Sequence, residues 1–390
     1  MDNNKKYVLI IDSFRSHNAL AFKCHAQNII PIHIFSSKKS FEDNFFAVAN
    51  ILFIKSFIFE NMEMLMEDLM AFKHNISFVF SCTEQGQHIK DALDMELNCV
   101  TANPSNFTSQ RYNKFFLYQT LEQECASENF DKFVERHNEC VIKPADVNYS
   151  GGCLDVTFVN GQTRPIKDDP KLFISTYFQG DEYAVDFVSC DGKHKLVSVW
   201  KYIRSHHDKI FKDKVVLMHY EENSDLINKI YEVAASWLNK IQHKFGPVHI
   251  EIKHVDTTFR CIEINFRLHG HMHYGSLVKW LQYNQVDLTI DCYTAKSKFS
   301  HDLVKYYATG YISRIYLSNT QNNKKYTEVD WKSIESAPSV DLVYKHCWSW
   351  ENLPVSQKTS QSSVLVIMSD NDYHTLCQNE LAVKEIFYNV

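Results

Sequence analysis

The segment HIEIKHVDTTFRCIEINFR, residues 249–267, restricts the fold more than any other stretch of the chain. Two runs alternate apolar and polar residues at the two-residue period of a strand, and a short polar stretch centred near Thr257 divides them. Read as a hairpin, the segment sets Glu251 opposite Glu263. Ile262, Ile264 and Phe266 then belong to a core face, while Glu251, Lys253, Glu263, Asn265 and Arg267 share the other. Two directly opposed carboxylates repel unless a cation lies between them. Glu and Asn oxygens are hard donors suited to magnesium. The plain alternative is a hairpin with a solvated charged face.

The rest of the sequence limits where such a hairpin can sit. A chain of 390 residues exceeds one ordinary core, which predicts two or three domains. The formal charge of −6 comes without a basic stripe, which argues against a nucleic-acid partner. The opening MDNNKKYVLIID holds too short an apolar run for a signal peptide, and no run is long enough to span a bilayer, so no membrane role is expected. The eleven cysteines are scattered singly without C-x-x-C, which reads as reduced thiols in the cytoplasm rather than a disulfide frame or a zinc site.

Apolar runs at 7–11, 29–35 and 76–81, separated by helical stretches near 19–28 and 58–73, predict parallel βαβ units in a Rossmann-like α/β domain over 1–105. A helix follows 76–81 near 86–97. The first loop lacks G-x-G-x-x-G, so the dinucleotide fingerprint is absent. Residues 111–126 look helical. From residue 140 strands predominate, interrupted by a helix at 224–245, which makes 106–310 an α+β domain. A small C-terminal subdomain, 311–390, includes the polar segment 355–363.

Three further stretches draw attention. In CVIKPADVNYSGG, a strand delivers Lys143 to a loop whose Ser150, Gly151 and Gly152 can close backbone amides around phosphate. A plain hairpin turn is the alternative. In FISTYFQGDEYAVD, Tyr177 and Phe178 end a strand, the chain turns at Gly180 and Glu182 resumes it. That arrangement suits a flat base and two ribose hydroxyls, or a surface turn. In RLHGHMHYG, the glycines point to a loop, so His269 and Gly270 read as substrate contacts and not as a dedicated metal centre.

Taken in order, these pieces resemble the ATP-grasp enzymes. Glu263-Ile-Asn265-Phe-Arg267 is similar to the family's E-x-N-x-R strand, with Glu251 twelve residues upstream. Lys143 in VIKP and Lys114 in SQRYNK resemble its two ATP lysines, and Glu182 its ribose-binding acid. FVFSCTEQGQHIKDAL, EYAVDFVSCDGKHKLVSVWKY, RLHG and QVDLTIDCYT resemble the carboxylate–amine ligase branch, which includes L-amino-acid ligases and dapdiamide-type synthetases. Tyr149 and His271 depart from the branch, which has small residues at those positions.

The resemblance implies an ATP-grasp fold and a small-molecule ligase that joins a carboxylate to an amine, both from amino acids or small amino-acid-like substrates, through an acyl phosphate with release of ADP and phosphate. ATP would be held by Lys114, Lys143, Ser150, Gly151, Gly152, Tyr177, Phe178 and Glu182. Magnesium, or manganese, would sit on Glu251, Glu263 and Asn265, with Arg267 as the catalytic cation. Homodimers are common among similar ligases. The alternatives are a ligase or carboxylase acting on a non-amino-acid carboxylate, and a non-catalytic nucleotide-binding protein.

Overall fold

A computed structural model describes residues 5–146, 157–160, 168–204, 212–294, 299, 303–318, 325–345 and 364–388. The first apolar runs form four short parallel strands: β1 (Lys6–Ile11), β2 (Ile29–Phe35), β3 (Ser56–Ile58) and β4 (Ile76–Ser81), in the order β3-β2-β1-β4. Their near-continuous apolar sequences suit a sheet covered on both faces, and two clusters of buried side chains lie against it. The order reverses between β1 and β4, which leaves a crevice at their C-terminal ends. Asp12 closes it from below. Its carboxylate accepts from Ser36 N, Ser40 Oγ and Thr83 Oγ1 at 2.7–2.9 Å, which binds the ends of three strands together.

The expected single helix over 111–126 is two helices, Thr108–Tyr112 and Lys114–Thr120. Asn113 breaks it by adopting extended backbone and capping the second helix, its Oδ1 accepting from Phe115 N and Phe116 N. Lys114 therefore starts a helix.

A small antiparallel sheet follows, β5 (Cys125–Ala126), β6 (Glu139–Pro144), β7 (Thr157–Asn160) and β8 (Leu172–Thr176), in the order β5-β8-β6-β7. The large antiparallel sheet comprises β9 (Asp181–Cys190), β10 (Lys193–Arg204), β11 (Lys212–Leu217), β12 (Gly246–Val255), β13 (Thr258–Asn265), β14 (Tyr311–Leu317), β15 (Val340–Lys345) and β16 (Val364–Asp370). Its order is β13-β12-β9-β10-β11-β14-β16-β15, so it runs unbroken through residue 311. Val248, Ile250, Ile252 and Ile264 share a core cluster with Ile227, Ile230 and Leu238 of the helix Tyr220–Lys240. Among the described residues no helix is long and apolar enough to cross a membrane.

The hairpin β12–β13 pairs Glu251 with Glu263 and His249 with Asn265, as the alternation predicts. The register then slips by one residue, and Ile252 faces Cys261. Ile262 is the extra residue of this bulge. It is only half-buried, and the fully buried Cys261 takes the core position that the alternation gave to Ile262. Cys261 therefore does not face Lys253.

The two sheets meet at Gly180, whose φ is +151°. A Cβ there would lie 2.0 Å from the His254 carbonyl oxygen of β12. Gly180→Ala should cost roughly 1–3 kcal/mol of stability through strain and clash, visible as a lower urea midpoint; an unchanged midpoint would show that the junction relaxes freely.

Candidate functional site

Because side chains alternate along strands, one face of the large sheet collects polar groups in rows. Register places Asn265, His249, Asp186 and Ser198 in one row, Glu263 and Glu251 in the next, and Lys253, Glu182 and Tyr202 in a third. The N-terminal crevice and the small sheet supply the remaining groups.

Lys114 Nζ donates to Glu263 Oε2 at 2.8 Å, and Asn265 Nδ2 donates to Glu263 Oε1 at 2.7 Å. Burial alone would raise the Glu263 carboxyl, but Lys114 and Asn265 pull it down to about 2. The buried Oδ1 of Asn265 has no hydrogen-bond partner among the described residues. Glu251 accepts from Tyr202 Oη at 2.9 Å, and His249 Nε2 lies 3.9 Å from it. Two opposed carboxylates and an amide oxygen without a partner among the described residues, all on one face, fit a divalent cation of oxygen preference.

Arg267, just past β13, reaches back to the N-terminal crevice. Its Nη2 donates to Glu84 Oε1 at 3.0 Å, and Lys114 Nζ lies 3.9 Å from Glu84 Oε2. Burial opposes its charge, yet Glu84 and Glu263 raise its pKa further. Gln87, also from the first domain, donates to the Phe266 carbonyl at 2.5 Å. Sequence reasoning quoted the TEQG segment without singling out Glu84; its distance of 183 positions from Arg267 leaves no local signal.

Lys143 on β6 donates to Tyr118 Oη at 2.9 Å, and Tyr118 Oη donates to the Ile262 carbonyl at the bulge. Burial and the nearby Lys114 charge lower the Lys143 ammonium to about 8. Ser150, Gly151 and Gly152 lie outside the described residues, as does Tyr149. Glu182 is buried and paired with Arg204, with Lys253 Nζ 4.0 Å away. Lys253 also sits 4.8 Å from the centre of the Tyr177 ring, and Phe178 lies beside Arg260.

His269 is buried, His271 is exposed with φ +59°, and His273 caps the helix Tyr274–Trp280, so the three histidines do not converge. His269 instead meets His249 and Asp186, with both Nδ1 atoms on the Asp186 carboxylate at 2.9 and 3.0 Å. Ser198 Oγ and Trp200 Nε1 also donate to Asp186 Oδ2, each at 2.9 Å. Four donors fill this carboxylate, which makes the group an internal network and not a metal centre. The Gly270 carbonyl accepts from Arg314 Nη1 at 2.7 Å.

The depressed Glu263 carboxyl ties stability to acid. Its contribution is complete above the ordinary value of 4.5 and is lost as pH falls toward about 2. Glu263→Gln should therefore be less stable than wild type at pH 7, and the gap should close as the pH falls to about 2. Urea midpoints across that range check it, and a pH-independent gap would contradict it.

Residues 112–271 match a family model described as an ATP-grasp domain. No curated protein matches the sequence significantly. Solved structures similar to the chain include L-amino acid ligase from Bacillus licheniformis, with a TM-score of 0.75 at 14% identity, covering 98% of both chains. N5-carboxyaminoimidazole ribonucleotide synthetase from Thermotoga maritima gives 0.68 at 13% identity, again over 98% of each chain. Phosphoribosylglycinamide synthetase from Anaerococcus prevotii gives 0.65 at 9% identity, over 97% of this chain and 98% of that one. With Glu251, Glu263 and Asn265 on one sheet face and Arg267 just past the end of that strand, the chain has the ATP-grasp fold, and its residues 112–271 are similar to the ATP-grasp domain.

Proposed function

We propose that the protein is an ATP-dependent carboxylate–amine ligase that joins amino acids, or small amino-acid-like substrates, in an amide bond. The opposition of Glu251 and Glu263 beside the unpartnered Asn265 oxygen carries this reading. A solvated surface hairpin has no need for this pair, nor for a buried lysine and arginine aimed at it.

Glu251, Glu263 and Asn265 would hold magnesium or manganese, which when bound neutralises phosphate oxygens. Lys114 and Lys143 bind the phosphates of ATP. Burial disfavours the Lys143 charge, and a phosphate beside it would favour that charge. The carbon–nitrogen bond is made in two steps. A carboxylate oxygen attacks the γ-phosphorus, the bond to the β,γ-bridging oxygen breaks, and ADP leaves. The amine lone pair then attacks the acyl carbon and forms the C–N bond. The C–O bond breaks, phosphate leaves with its electrons, and the amine gives up a proton. Arg267 faces charge that develops in both steps, where a planar guanidinium offers two parallel donors. An exposed acyl phosphate hydrolyses, so water must be excluded from the site during the reaction. Glu182 would take the ribose hydroxyls, exchanging part of its pairing with Arg204, and Tyr177 and Phe178 would flank the base.

Amino acids as substrates are supported by the RLHG and EYAVD segments and by the full-length likeness to an L-amino acid ligase. The likeness to N5-carboxyaminoimidazole ribonucleotide synthetase favours a second reading, activation of a different carboxylate. The nine free cysteines among the described residues suit the cytoplasm.

ADP release, screened over amino-acid pairs with magnesium, tests the proposal. Turnover should appear for a subset of pairs and vanish in Glu263→Gln and Arg267→Ala while their circular dichroism stays native. Wild-type rates in either folded variant would sink the site assignment, and ADP release with other carboxylates alone would favour the second reading.

A further inference from the structure

Arg314, on β14, is a buried cation without a carboxylate of its own. It is 5% exposed, and its Nε is buried with no hydrogen-bond partner. Its other nitrogens meet neutral groups: Nη1 donates to the Gly270 carbonyl and lies 3.7 Å from Met272 Sδ, while Nη2 lies 3.2 Å from His269 Nε2. No acidic side chain among the described residues forms an ion pair with it. A desolvated guanidinium left without a counter-charge is costly, so such a group marks a place where an anion arrives.

Asp186 cannot fill that role, because it reaches Arg314 only through His269 and already accepts from four donors. It does fix the imidazole. A carboxylate accepts only, so His269 gives it the Nδ1 hydrogen, and the neutral ring presents Nε2 as an acceptor to Arg314. The guanidinium is thereby held in one orientation with Nε still free.

The position relative to Arg267 narrows the ligand. A Cβ at Gly270 would lie 3.8 Å from Arg267 Nη1, and the Gly270 carbonyl is the one that Arg314 grips, so two guanidiniums bracket this residue. The carboxylate that is activated must lie on the Arg267 side, toward Glu251 and Glu263. Arg314 approaches from the other side, on a strand that β10 and β11 separate from β9.

Resting on the ligase reading, we propose that Arg314 receives the carboxylate of the amine-bearing substrate, which makes that substrate an amino acid rather than a simple amine. Arginine offers a carboxylate two parallel hydrogen bonds, so a lysine at the same place keeps the charge but loses the fork.

Two assays on the full chain separate this role from a structural clamp on residues 268–272. The first traps the acyl phosphate with hydroxylamine, a small amine without a carboxylate, for each of the twenty standard amino acids. The second measures dipeptide formation, with each accepting amino acid compared with its amide. Arg314→Gln should raise the KM for the accepting amino acid about 10- to 100-fold, the worth of one charge-assisted contact. Hydroxamate formation should fall at least tenfold less than dipeptide formation. Wild type should favour the free acid over the amide, and the variant should lose that preference. Arg314→Lys should fall between the two and guards against misfolding of the glutamine variant. Equal losses in both assays, or a wild type indifferent to the amide, would overturn the assignment. No hydroxamate from wild type with any amino acid would remove the ligase reading and this assignment with it.

Discussion

Repulsion between Glu251 and Glu263 is the constraint around which the rest of the site is arranged. Strand pairing forces the two side chains together, and within the hairpin Asn265 relieves Glu263 by donating to it. Lys114 does so from another element, at 2.8 Å, and it can because Asn113 ends one helix and starts the next there. The arrangement keeps the Glu263 carboxyl ionised, leaves Asn265 Oδ1 open among the described residues, and sets a lysine beside the pair. The proposed site for a cation and a polyanion thus rests on a repulsion that Lys114 and Asn265 only partly offset.

Side chains that follow the parallel sheet also reach the end of β13. Glu84 pairs with Arg267, Gln87 bonds the Phe266 carbonyl, and Asp12 locks the ends of β1, β2 and β4 below them. The crevice at the reversal of strand order therefore opens onto the end of β13, where strand-end crevices in α/β sheets receive ligands. Arg267 belongs to both halves. Its charge is balanced by Glu84 in the free protein, and a transferring phosphoryl group competes for the same nitrogens.

Much of this was legible in the sequence wherever the signal was local. Alternation gave the register of Glu251, Glu263 and Asn265, and the apolar runs gave β1, β2 and β4. The bulge at Ile262 escaped because one extra residue leaves no compositional mark, although it decides that Cys261 and not Ile262 enters the core. The break at Asn113 was readable in principle, since Asn is a strong helix cap, but its neighbours are good helix formers. Glu84, Asp186, Arg204 and Arg314 could not be found this way. Their partners lie 12 to 183 positions away, and only the folded sheet brings them together.

The central claim is that the opposed carboxylates form a cation platform for a nucleotide triphosphate. Manganese binding, followed by electron paramagnetic resonance with a non-hydrolysable ATP analogue, tests it most directly in wild type and in Glu251→Gln. Wild type should take up the manganese–nucleotide complex, and the variant should bind it at least tenfold more weakly. Equal binding by the two proteins would contradict it.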